Sequence, residues 1–248
     1  MSLTFENFLT RKGLDQSAGA NDVSTPSLGW SEMAERWLLP WYLRQGTRGM
    51  QCAGEQWLPM EPAEKRDQWN MRLRRSVLHP AYDDTVRRLV AKPMARPVTT
   101  EGELPPELEP MLYDVDGQGH DLSQFAARFI DAGIDRGMVH LLVDFPTVGG
   151  TLDLATERRL GVRPRFTLIP AEALFAWRVA EDVNGRPYLA EIRYHEQVTE
   201  PAGEWGEASV DLVHVYKFVT EARVAATLPG TEPPRASKTT YRLQGESK

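Results

Sequence analysis

Apolar residues recur at helical spacing through the first half of the chain and alternate with polar ones through much of the second. Ser31 is placed to open a helix running to about Gln45, with Glu32 and Glu35 in its first turns, where negative charge is favoured. Pro40 should kink that helix, and Trp30, Trp37 and Trp41 read as core residues. Further on, Trp69, Leu73, Ser76 and Val77 fall at i, i+4, i+7 and i+8, which predicts one inward stripe. His79-Pro80 breaks that helix, because a residue before proline avoids the helical region. Tyr82, Val86, Leu89 and Val90 repeat the spacing up to Lys92-Pro93, giving two amphipathic helices joined by a tight corner.

The stretch YDVDGQGHDLSQF, from Tyr113 to Phe125, admits two readings. As a calcium loop it would start at Asp114, with Asp116 at position 3 and Gly119 at position 6. Position 12 is then Phe125, where a bidentate glutamate is required. As a helix entrance it explains more residues. Asp121 is the N-cap and Gln124 closes a capping box. Leu122, Phe125, Ala126, Phe129 and Ile130 then form the apolar stripe of a helix ending near Arg136, with Gly137 as its stop. The run MVHLLVDFP follows and reads as a strand covered on both faces, with His140 a hydrogen-bonded core residue.

Beyond it, a short helix is expected over Leu152–Leu160, then a strand at RFTLIP. A hairpin turns around Asn184-Gly185. SVDLVHVYKFVT and RVAATL continue the alternation, LPGTEPPRASKTT reads as a loop, and YRLQ as a last strand. The fold class is therefore α+β: an N-terminal helical part, a central helix–strand unit, and C-terminal antiparallel β-hairpins. The expected divisions are a flexible arm (1–29), a helical segment (30–97), an acidic Pro-rich linker (98–112), an α/β core (113–180) and a β-hairpin extension with a Pro-rich loop (181–248).

At 248 residues and a net charge of -6, the chain can bury a substantial core and has no global basic field to hold nucleic acid. The charge is unevenly placed. Between Glu61 and Thr100 stand nine Lys/Arg against five acids, whereas Glu101 to Asp121 holds seven acids and no Lys or Arg. Such patches can meet within a chain or between subunits. The single cysteine, Cys52, excludes an internal disulfide. No signal peptide and no apolar run of membrane-spanning length is read, which predicts a soluble protein made in a cytoplasm.

Chemistry is sparse. There is no phosphate loop, no HExxH and no CxxC, and Cys52 lacks the context of a nucleophile. His195 and His214 lie on predicted strands and could meet, though strand histidines are more often structural. Asp144, at the end of the buried strand, is where an α/β active site could lie. No catalytic, cofactor-binding or metal-binding residue is assigned, and no cofactor is expected.

Three stretches, in order, carry a resemblance. They are QWLPMEPAEKRDQWNMRLRRSVLHPAYDDTVRRLVAKP, DVDGQGHDLSQFAARFIDAGIDRGMVHLLVDFP, and LIPAEALFAWRV with LAEIRYHE after it. Together, over about residues 30–200, they resemble the N-terminal, wing-bearing half of tailed-bacteriophage portal proteins, the head-to-tail connectors, in a phage and prophage family often described as a domain of unknown function.

The resemblance implies a structural subunit, not an enzyme. It implies a homo-oligomeric ring at the capsid vertex of a virion, through which double-stranded DNA is packaged and ejected without sequence-specific binding. The partners implied are the chain itself, the major capsid or scaffold protein, the terminase and a head-tail adaptor, with no membrane. An acidic chain suits a channel that lets DNA slide, and the uneven charge suits head-to-tail subunit pairing. Nothing after Tyr216 reads as the long stem helices that follow in that family, so a shortened form is expected. Two other readings stay open: a non-portal virion or adaptor module sharing the wing-like fold, and an α/β enzyme with a site near Asp144.

Overall fold

The computed structural model describes residues 22–106, 108–145, 153, 156, 159, 162–181, 185–217 and 237–242. Among these residues are five α-helices and six strands. The helices are α1 (Leu28–Arg44), α2 (Gly46–Ala53), α3 (Arg66–Arg75), α4 (Ala81–Ala91) and α5 (Leu122–Arg136). The strands are β1 (Val139–Asp144), β2 (Arg165–Pro170), β3 (Leu174–Glu181), β4 (Pro187–Ala202), β5 (Gly206–Lys217) and β6 (Ser237–Arg242). The fold is α+β with antiparallel strands at its C-terminal end. None of the described helices is long and apolar enough to cross a membrane.

The chain divides into two compact units. One is Trp37–Ala171; the other is formed by the chain up to Arg36 and from Glu172 onward.

In the first unit, α4 packs on α5, and α5 packs on β1 and β2. The core holds Trp37, Tyr42, Trp69, Val86, Val115, Phe125 and Ile169. The stripe on α5 meets the sheet where the Phe125 and Phe166 rings lie 5.7 Å apart. Trp37 donates its indole N–H to the Arg136 carbonyl at 3.1 Å, and Trp69 donates to Leu58 at 2.8 Å. These bonds satisfy the polar ends of two large buried rings.

Helix α5 begins as its sequence predicts. Asp121 accepts the Gln124 N–H at 2.7 Å, and the Gln124 side chain accepts the Asp121 N–H at 3.1 Å. Gly137 ends the helix at φ 74°, the left-handed conformation that glycine adopts without strain.

Three expectations fail in this unit. Val77 is not part of the inward stripe: α3 stops at Arg75, Ser76 turns extended, and Val77 is 82% exposed. β1 is not covered on both faces. Among the described residues it has one strand partner, β2, in register from Val139↔Pro170 to Asp144↔Arg165. Leu141 (45% exposed) and Val143 (57%) lie two residues apart and so share an open face. The apolar run predicts cover on both faces, and α5 packs on one of them. His140 is not hydrogen-bonded through Nε2, which is buried without a partner.

In the second unit, β3, β4, β5 and β6 form a four-stranded antiparallel sheet in that order. Gly185, at φ 73°, lies in the turn between β3 and β4. The core holds Trp30, Phe175, Ala176, Tyr194, Val213 and Val215. The chain from Asp22 is tied to this unit: Ser27 donates its N–H to Phe175 at 2.9 Å, and Val23 accepts from Arg193 at 2.7 Å.

Here α1 starts at Leu28, three residues earlier than expected. The Ser27 hydroxyl accepts the Trp30 N–H at 3.3 Å, so Ser27 does the capping expected of Ser31. The helix continues through Pro40. Ser237–Thr240, expected in a loop, pair with β5 as part of β6. The expected strand RVAATL lies outside the described residues. So does most of the helix expected over 152–160, of which Thr156 and Arg159 are described and helical.

Candidate functional site

The residues singled out as chemical candidates are not gathered into one centre. Asp144 closes β1, half-buried, and its Oδ1 accepts the Phe145 N–H at 2.9 Å. The adjoining PTVGG loop lies outside the described residues. Cys52 is exposed on α2.

His195 and His214 do not meet. The register pairs Tyr194 with His214 and His195 with Val213, which puts the two imidazoles on opposite faces of the sheet. Each has its own carboxylate: His195 Nε2 lies 2.9 Å from Asp211, and His214 Nε2 lies 2.7 Å from Glu196. Thr240 reaches the other nitrogen of His214 at 3.0 Å, and the ring stacks on Tyr194 at 4.7 Å. The hydrogen bond from His214 holds the Glu196 carboxyl below its usual range.

The acidic turn before α5 is occupied by its own groups. Asp114 accepts the Gly119 N–H at 2.8 Å and bonds Arg163 at 2.6 Å. Asp116 accepts the Gln118 N–H at 2.9 Å and lies 2.7 Å from the His120 ring. Burial opposes the charge on Asp116, yet the Gln118 N–H and His120 hold its pKa below the ordinary value. Val115 is buried at the centre and bridges outward, donating to His120 at 2.9 Å and accepting from Phe166 at 2.8 Å. The turn therefore fastens the linker to β2 and starts α5. Among the described residues, no group of three or more His, Cys, Asp or Glu is arranged to hold a metal ion.

A polar centre joins three helices in the helical unit. Arg44 of α1 bonds Asp83 of α4 and reaches Asp131 of α5 at 2.5 Å and Asp135 at 3.9 Å. Burial disfavours the Arg44 charge, but Asp131 and Asp135 outweigh it and the pKa is raised. Sequence reasoning missed this centre, because nothing local links residue 44 to residues 83, 131 and 135.

Two surfaces stand open. The first is the end of the β4–β5 hairpin. β3 covers β4 only over Pro187–Tyr194, and β6 covers β5 only over Leu212–Lys217. From Gln197↔Asp211 to Ala202↔Gly206 the ribbon has two strands, with no further strand beside it among the described residues. Six residues at ~3.4 Å each give a ribbon about 20 Å long. It carries Glu200, Glu204, Glu207 and Asp211 and no Lys or Arg between residues 197 and 211. At its turn, Trp205 is 90% exposed. The signal in the sequence was AGEWGEA, a lone tryptophan between two glycines at the crossing of two alternating runs.

The second surface is the outer side of α3. Gln68, Met71, Arg72, Arg75 and Ser76 line an open depression there. Met71 is 52% exposed. Arg72 is held by both Glu64 oxygens at 2.9 and 2.7 Å. Among the described residues no carboxylate pairs with Arg74 or Arg75.

No protein-family model matches the chain, and no curated protein matches it.

Proposed function

We propose that the chain is a structural subunit of a phage portal ring, the connector at a capsid vertex through which DNA is packaged and ejected. In this reading it turns over no substrate and belongs to the virion. The observation that carries the reading is the β4–β5 ribbon: a two-stranded arm with four acids and no Lys or Arg, ending in an exposed tryptophan. A two-stranded ribbon has marginal stability alone in water. A tryptophan left in solvent at its end is the kind of anchor that fills a partner's pocket. Such an arm fits assembly better than catalysis.

Three further features agree with the reading. The paired helices α3 and α4, the capped helix α5 leading into β1, and the hairpin extension follow one another in the order of the three portal-like stretches. The open apolar face of β1 offers surface for a neighbouring subunit. The net charge of -6 disfavours tight phosphate binding, as a sliding channel requires.

The test is size-exclusion chromatography with light scattering on the purified full chain. A single species whose mass is a fixed, high multiple of 28.0 kDa is the expected result. A dimer at every concentration would instead favour an adaptor-type module, and would set the ring aside.

A further inference from the structure

We infer that the Trp205-tipped ribbon of one copy of this chain docks in the Met71–Arg75 depression on α3 of a second copy. The inference rests on the ring reading above and names the contact that would build it.

The ribbon sets the requirements for its partner. Of its acids, Asp211 is already met by His195 at 2.9 Å and Gln197 at 3.2 Å, whereas Glu204 and Glu207 have no ion-pair partner among the described residues. Arg242, at the end of β6, answers Glu200 at 2.8 Å with both side chains well exposed, a pair of little energetic weight. The partner must therefore be basic, and it must offer an apolar seat for an indole. Pro201 cannot donate to an added strand, which blunts that edge of the ribbon. Two ribbons laid edge to edge would also set acids against acids. Recognition thus falls to the tip and to side chains, not to sheet extension.

The α3 depression meets both requirements. Met71 supplies a pliable apolar surface that suits an aromatic ring. Arg72 and Arg75 flank it one helical turn apart on one side of α3, and Arg74 is nearby. Arg72 is already neutralised by Glu64, so Arg75 and Arg74 are the cations left to answer the ribbon. An indole buried here removes roughly 200 Å² from water, and the charges around it give orientation and salt dependence. Ribbon tip and depression are different surfaces, so the contact is heterologous unless two copies exchange ribbons reciprocally in a closed pair. Repeated from copy to copy it closes into a ring or runs on as a filament.

The test uses the full chain with Cys52→Ser as background. One preparation carries Ala208→Cys on the ribbon and the other Gln68→Cys at the depression, with distinguishable tags, so that Trp205 and Met71 stay in place. They are mixed and treated with a short bismaleimide cross-linker. The expected result is a mixed dimer band that Arg75→Glu abolishes and that Glu204→Arg added to the Ala208→Cys chain partly restores. In the otherwise unaltered chain, Trp205→Ala raises the dissociation constant of self-association at least tenfold. Particles larger than a monomer, with no mixed product and no response to Trp205→Ala, overturn this contact and leave the ring reading in place. A chain that stays monomeric at all concentrations overturns both.

Discussion

The phenol of Tyr82 on α4 donates to Asp135 on α5, lying 3.0 Å from both its main-chain carbonyl and its Oδ1. Burial and then the Asp135 bond push the Tyr82 pKa up to about 12 from an ordinary 10.0. A raised folded-state pKa means that the neutral form is the one the fold stabilises. The contribution is complete below the unfolded value near pH 10 and is lost as pH rises toward 12. Tyr82→Phe should cost about 1 kcal/mol at neutral pH. The gap between variant and parent in urea midpoint should hold steady to about pH 10 and narrow above it. A gap that persists unchanged to pH 12 would contradict the assignment.

Arg44 serves three carboxylates on two other helices. Removing it leaves Asp83, Asp131 and Asp135 close together without their shared cation. Arg44→Ala should therefore destabilise the chain by about 3 kcal/mol, as expected when one partner of a partly buried charge cluster is deleted. Asp131→Asn, which relieves repulsion while keeping a polar side chain, should cost about 1 kcal/mol or less. Thermal melts of the two variants check the ranking, and equal losses would argue against a central role for Arg44.

The entrance to α5 offers a local test. Asp121→Ala removes the cap and half of the capping box, for a loss of about 1 kcal/mol. Gly117 sits at φ 74°, and a Cβ there would come within 2.9 Å of the Arg165 guanidinium. Gly117→Ala should cost about 1–2 kcal/mol, mainly from the left-handed backbone, since Arg165 can move aside. Denaturant titration of both variants, read by far-UV circular dichroism, gives the two losses.

His140 predicts an acid effect. Burial lowers its pKa below the ordinary 6.5, and its Nε2 has no partner. The folded state therefore holds the neutral ring, and stability present above pH 6.5 is lost as pH falls below it. His140→Leu should leave stability at pH 7.5 nearly unchanged and flatten the loss between pH 6.5 and 5. Parallel stability profiles for parent and variant would refute this.

Much of the architecture was legible because the signals were local. The α5 cap, its stripe and its glycine stop are all within seventeen residues, and each appears where its chemistry puts it. The β3–β4 hairpin was readable from Asn184-Gly185 for the same reason. What was not legible depends on partners distant in sequence. Whether β1 is covered on one face or two depends on what the rest of the chain supplies, and MVHLLVDFP is equally apolar in either case. Ser27 outcompeted Ser31 as the cap of α1 because the chain there is anchored to Phe175, far along the sequence. The length of the β4–β5 ribbon was hidden by Pro201 and the glycines, which read as a break between strands although the ladder runs up to Ala202↔Gly206. Trp205 was passed over with them.

The measurement that bears most directly on the account is negative-stain electron microscopy of the purified full chain, with class averages taken from a sample of known particle mass. The account predicts rings of constant subunit number around a central hole. A field of single small particles at concentrations well above those of assembly would contradict it.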